Sequence, residues 1–170
     1  MKTKFKLAFA KVACEFSELS SARRAKVGCI IVKDDRIISI GYNGMPSGWD
    51  NECEDWVPNE GVNFAVHEQD RDIYGTYKTK PEVLHAETNA IAKLARSTES
   101  GDGASLFCTH TPCLDCAKLI YQSGISSVYY IHKYEAAKGC GEDFLIKSGI
   151  TVEQIDLRQS MDDGGQTVRD

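Results

Sequence analysis

Val27-Gly28-Cys29-Ile30-Ile31-Val32 is apolar at every position, short and rich in β-branched residues, and it constrains the fold more than any other stretch. A strand with one solvated face alternates polar and apolar residues; a run with no polar face belongs to a strand buried on both sides. The polar turn Lys33-Asp34-Asp35-Arg36 and a second apolar run, Ile37 to Tyr42, follow directly, so the two segments predict a hairpin. A sheet covered on both faces needs helices around it. Phe5, Phe9, Val12, Phe16 and Leu19 recur at helical spacing and predict an amphipathic helix over residues 4–19. Ala86, Ala90, Ile91, Leu94 and Ala95 line one face of a second helix. Leu114 to Ser123 forms a third, closed by Gly124, and Glu142 to Lys147 a last one, stopped by Gly149. Ser105 to Thr109, Val128 to His132 and Ile150 to Val152 read as strands between them. Strands alternating with helices imply an α/β fold whose sheet contains parallel pairs and is covered on both faces.

The pattern breaks between Asn43 and about Lys80, where Gly44, Pro46, Gly48, Pro58, Gly61 and Gly75 replace periodic apolar residues. A structureless stretch of that length is unusual inside one domain. We therefore expect a single domain over residues 1–156, with an insertion at about 44–80 that has short helical pieces near His67 to Tyr74. Residues 157–170 are polar, include Gly164-Gly165, and are expected to form a mobile tail.

Composition excludes several classes. In 170 residues, 20 Lys and Arg stand against 25 Asp and Glu, a net charge of −5. That balance disfavours a nucleic-acid partner or an anionic membrane surface. No apolar run reaches the length of a membrane span, and the N-terminus has no apolar core or cleavage site of the secretory kind. Seven cysteines, an odd number, argue against a closed disulfide framework. In a reducing cytosol, metal ligation is the better first reading.

The chemistry lies in His85-Ala86-Glu87 and Pro112-Cys113-Leu114-Asp115-Cys116, each at the start of a predicted helix. Cysteines three apart at a helix N-terminus project their sulfurs to one side, where the unsatisfied N–H groups favour thiolates. With one histidine they make a three-ligand set suited to Zn2+, with a fourth position left for water. Glu87 stands two residues from the histidine, placed to move protons rather than to bind metal. A lone pair of cysteines at this spacing also serves structural zinc or redox chemistry; a closed structural site would need a further ligand such as Cys108 or His110. The other two cysteines in predicted strands, Cys29 and Cys108, read as buried thiols.

His85-Ala86-Glu87 with Pro112-Cys113 and Cys116 resembles the cytidine and deoxycytidylate deaminase superfamily, over roughly residues 5–135. Lys26 to Ile31, Gly41 to Gly48, His85 to Ile91 and Gln122 to Ile125 are similar to deoxycytidylate (dCMP) deaminases, a family with bacteriophage and cellular members. The resemblance implies a three-layer α/β/α fold with a mixed, largely parallel five-stranded sheet. It implies one catalytic Zn2+ per chain on His85, Cys113 and Cys116, with Glu87 as the proton shuttle in hydrolysis of dCMP to dUMP and ammonia, a supply of dUMP for thymidylate synthesis. It also implies a cytoplasmic homohexamer (in the host cytoplasm for a viral member) activated by dCTP and inhibited by dTTP, each bound with Mg2+. Asn43 resembles the residue that meets the sugar 3′-hydroxyl, and Gly44 and Arg96 match positions tied to allosteric control.

Arg23, Arg24 and Lys26 form the only basic cluster directly before a core strand; they are either a solvated edge or a phosphate clamp. Tyr121 and Tyr129 are candidates for packing near the base, although such positions are usually core. Some family members carry a second, structural zinc, for which Cys14, Cys53 and His67 are the candidates here. Two of its ligands are missing, because Ala22-Arg23-Arg24-Ala25 and Glu82-Val83-Leu84 stand where they belong. The competing readings are a deaminase of another cytosine nucleotide such as dCTP, a nucleic-acid base deaminase, and a non-catalytic zinc module.

Overall fold

The structure is a computed structural model that describes residues 1–62, 65–134, 139 and 141–158. The chain opens with helix α1 (Thr3–Ser17), the hairpin strands β1 (Gly28–Lys33) and β2 (Arg36–Tyr42), and then β3 (Glu54–Pro58). A 3-10 turn at Glu68–Asp70 runs into the short helix α2 (Arg71–Tyr74), followed by β4 (Gly75–Thr79) and helix α3 (Ala86–Leu94). Strand β5 (Ser105–His110), helix α4 (Leu114–Gln122), β6 (Ser127–His132), α5 (Gly141–Lys147) and β7 (Thr151–Gln154) complete it.

The main sheet has five strands in the order β2-β1-β5-β6-β7. β1 pairs antiparallel with both neighbours, whereas β5, β6 and β7 are mutually parallel, so β1 alone runs against the other four. The sheet is thus mixed and largely parallel, as the resemblance implies. The apolar run of β1 is buried throughout because it is a central strand with both faces covered. Ile30 and Val32 join Phe107, Tyr129 and Ile131 under Leu7, Ala10 and Ala13 of α1. Cys29 and Ile31 join Leu106, Cys108 and Val128 under α3, α4 and α5, against Ala86, Ala90, Ala117, Ile120 and Leu145. Those are the three layers.

Two glycines set how closely the layers meet. A Cβ on Gly28 would collide with the α1 backbone at Ala13 and Ser17, and one on Gly41 with the α3 backbone at Ala86 and Ala90. On both faces a helix backbone therefore lies directly on the sheet.

The insertion differs from its sequence reading in one respect. Helical structure occurs where expected, over Glu68 to Tyr74, but β3 and β4 also form a two-stranded antiparallel sheet that the sequence did not reveal. Trp56 of β3 closes it by donating its indole N–H to the Arg71 carbonyl. The last strand begins at Thr151 rather than Ile150. The expected mobile tail lies outside the described residues apart from Leu157 and Arg158.

Candidate metal centre and active site

His85 and Cys113 each occupy the position just ahead of a helix, α3 and α4 respectively, in extended backbone conformation. Gly44 holds the first of these in place: its backbone exchanges N–H···O bonds of 3.1 and 2.9 Å with Leu84, tying the end of the hairpin to the residue before His85. The two helix starts meet above the carboxyl ends of the parallel strands, where α/β sheets commonly bind ligands.

His85 Nδ1 lies 3.6 Å from Cys113 Sγ and 3.4 Å from Cys116 Sγ, and all three donor atoms fall within 4.8 Å of one another. Tetrahedral zinc with Zn–S near 2.3 Å and Zn–N near 2.0–2.1 Å requires N and S about 3.6 Å apart, so the set fits zinc. Neither Cys108 nor His110 joins the group among the described residues, which leaves three ligands, the number that a catalytic zinc takes. On their own these side chains share too little charge. The hydrogen bond with Cys116, reinforced by His85, draws the Cys113 thiol down to about 4. Cys113 and burial push Cys116 the other way, and the bond to Cys113 raises His85. A dication held by the three would let both sulfurs ionise.

Glu87 is 4 % exposed, in the first turn of α3. Burial raises its carboxyl above the usual range, against the opposing pull of its own backbone N–H and of His85.

A cavity of about 480 Å³ is lined by His85, Glu87 and Cys113 of this group together with Ala25, Val27, Asn43, Arg24, Glu54 and Thr79. Of the basic cluster, only Arg24 lines it, and its guanidinium donates to Thr79 Oγ1 at 3.2 Å. Lys26 pairs with Glu18 at 3.1 Å, and Arg23 pairs with Glu52 at 3.9 Å and lies over the Tyr77 ring. Asn43 is buried in the wall with its amide turned to the backbone: Oδ1 accepts from Val27 N–H at 2.8 Å, and Nδ2 donates to the Ala25 carbonyl at 2.9 Å. It fixes the segment that carries Arg24, with one amide hydrogen and one lone pair to spare.

Sequence reasoning named His110 only as a possible further metal ligand and missed His132, Lys133, Tyr134, Glu54 and Thr79. His110 and His132 end the parallel neighbours β5 and β6 in register, with rings 5.3 Å apart, and Lys133 and Tyr134 follow. Histidines closing two adjacent parallel strands were a readable signal. Burial, then the nearness of His132, lowers the pKa of His110. Glu54 and Thr79 gave no signal, because they reach the cavity through the strand pair of the insertion.

The remaining candidates lie elsewhere. Arg96 is exposed beyond α3 and does not line the cavity. Tyr129 stacks on Phe107 in the core, and Tyr121 is half exposed, edge-on to Phe144. Cys29 and Cys108 are buried thiols on paired strands. Cys14, Cys53 and His67 form no metal group among the described residues. Cys53 instead packs with Ala22 and Val83, two residues from the segments where the second-zinc ligands are missing, and with Met45.

Comparison with known proteins agrees with this geometry. Residues 3–132 match the family described as the cytidine and deoxycytidylate deaminase zinc-binding region. Deoxycytidylate deaminase of Enterobacteria phage T4 is 34% identical over 168 residues, covering 85% of this chain and 86% of its own. ComE operon protein 2 of Bacillus subtilis is 34% identical over 144 residues, covering 85% and 67%. The crystal structure of dCMP deaminase from cyanophage S-TIM5, in complex with dCMP and dUMP, superposes with a TM-score of 0.74 at 42% identity, covering 91% of this chain and 99% of that one.

Proposed function

The chain belongs to the cytidine and deoxycytidylate deaminase family, and from that premise we propose that it hydrolyses dCMP to dUMP and ammonia. The observation that carries this reading is that one cavity is lined both by His85, Cys113 and buried Glu87 and by Arg24. Zinc, when bound by His85, Cys113 and Cys116, supplies Lewis-acid activation of a water near neutral pH. Glu87 would take one proton of the attacking water and deliver it to ring N3, then take the remaining proton from the hydroxyl on C4 and pass it to the exocyclic amine as the C4–N bond breaks, so that ammonia leaves and the C4 carbonyl forms. One carboxylate serves all the transfers because they are sequential. Asn43, with its spare hydrogen-bonding capacity, meets the sugar 3′-hydroxyl. Arg24 meets the phosphate, whereas Arg23 and Lys26, paired with Glu52 and Glu18, lie outside the lining. Ammonia release from dCMP, dCTP, deoxycytidine and CMP, measured side by side, tests the assignment. A clear preference for dCMP is expected; deoxycytidine turned over equally well ends the monophosphate reading.

The reading extends to control and setting. The enzyme is a cytoplasmic homohexamer that supplies dUMP for thymidylate synthesis, activated by dCTP and inhibited by dTTP with Mg2+. Resemblance supports this at Gly44 and Arg96, and the backbone tie from Gly44 to Leu84 gives a route from the hairpin end to His85. Regulation requires that the nucleotides bind two states of the assembly unequally. Saturation by dCMP is therefore expected to be sigmoidal, shifted left by dCTP and right by dTTP. Hyperbolic curves indifferent to both overturn it.

A further inference from the structure

The cavity wall includes a buried carboxylate. Glu54 is 7 % exposed and lines the cavity beside Arg24. Its two oxygens each accept from the Arg23 backbone N–H at 3.1 Å, and Oε1 also accepts from the Arg24 backbone N–H at 3.2 Å. Two successive N–H groups converging on one point form an anion-binding concavity, of the kind that often holds a phosphate. Here the chain fills it with its own side chain. Thr79, directly opposite Glu54 across the β3–β4 pair, takes the Arg24 guanidinium. The insertion thus grips Arg24 twice, at its backbone with a charge and at its side chain with a neutral hydroxyl.

This arrangement offers one guanidinium to a ligand and occupies the adjacent anion site. We propose that Glu54 is a specificity-determining residue that limits the cavity to one phosphate: the α-phosphate of a cytosine nucleotide reaches Arg24, and further phosphates are repelled by the Glu54 carboxylate beyond it. The inference rests on the deaminase reading above and deepens it, because it separates dCMP from dCDP and dCTP as substrates. Glu54 acts by placement and charge, without touching the reacting atoms.

The test is the ratio of kcat/KM for dCMP, dCDP and dCTP in the metal-loaded enzyme. Wild type should favour dCMP strongly. Glu54→Gln keeps the shape and one accepting oxygen but removes the charge, and should raise the dCTP-to-dCMP ratio by about tenfold or more, since like charges brought together discriminate against a ligand. Glu54→Asp keeps the charge and should keep the discrimination. Thr79→Lys leaves the Glu54 backbone bonds intact and adds a cation on the facing strand; it should also raise the ratio, and it decides the matter where Glu54→Gln does not fold. Parallel losses on all three nucleotides, with the ratio unchanged, make Glu54 a fastener of backbone only and overturn the proposal. Wild type accepting dCTP as readily as dCMP overturns it as well while leaving the deaminase reading standing. No turnover of any cytosine nucleotide brings down both.

Discussion

Glu87 is buried where an ionised carboxylate is costly, and that cost suits the proton-shuttle role proposed for it. A carboxyl raised by desolvation holds and releases a proton closer to neutral pH than an exposed glutamate does. Glu87→Gln should keep the fold and the bound zinc but lower turnover on dCMP by about 10²–10⁴-fold, the usual range for general acid–base groups. Metal analysis and ammonia release on the same preparation check this, and a variant within tenfold of wild type refutes the role. Among the three clustered cations, Arg24 is the one to remove, because it lines the cavity. A charge-assisted contact to phosphate is worth roughly 1.5–3 kcal/mol, so Arg24→Ala should weaken dCMP about ten- to a hundredfold and deoxycytidine far less. Lys26→Ala should change either substrate little, because its ammonium is engaged with Glu18 outside the cavity lining. Equal effects of the two substitutions on dCMP contradict the placement of Arg24. At this scale the motif residues were legible in the sequence, since a zinc set and its glutamate are local patterns on two helix starts. Which of three neighbouring cations faces the cavity was not, because that depends on Glu18, Glu52 and Thr79, acceptors that the sequence does not announce.

Helix α3 carries both His85 at its head and Glu87 in its first turn, so its distance from β2 sets the geometry of the centre. Gly41 sets that distance, with no room for a Cβ against the α3 backbone. Gly41→Ala should destabilise the protein by about 1–3 kcal/mol or more through overpacking. The midpoint of urea unfolding measures the loss, and activity should fall further than stability alone explains, because the helix start is displaced. A variant of wild-type stability and rate removes Gly41 from the account. The main elements were readable because each repeats one pattern: unbroken apolar strands, or apolar stripes on helices. The β3–β4 pair was not. Glu54-Asp55-Trp56-Val57-Pro58 and Gly75-Thr76-Tyr77-Lys78-Thr79 lack alternation, carry Pro and Gly, and are mostly exposed or half-exposed. Their pairing depends on a partner far along the chain, and single-strand patterns do not encode that. Glu54 and Thr79 stayed invisible as site residues for the same reason.

For the whole molecule, the net charge of −5 makes Arg24 valuable as a local exception in an acidic chain. Electrostatic attraction of a nucleotide should therefore be short-ranged, with KM for dCMP rising only modestly between low and physiological salt. A steep salt dependence of the kind seen for nucleic-acid binders would argue for a different partner. The insertion meets the main body partly through an apolar cluster of Cys53, Ala22 and Val83, with Met45 packed against it. Small units clipped by zinc unravel when the ion is stripped away. This one should not. Dialysis against a chelator should silence catalysis yet leave a cooperative thermal transition and an insertion that resists limited proteolysis, and restored zinc should revive the same molecules without refolding. Loss of the folded insertion on chelation would contradict this. A chain that behaves so would keep its fold while it waits for metal.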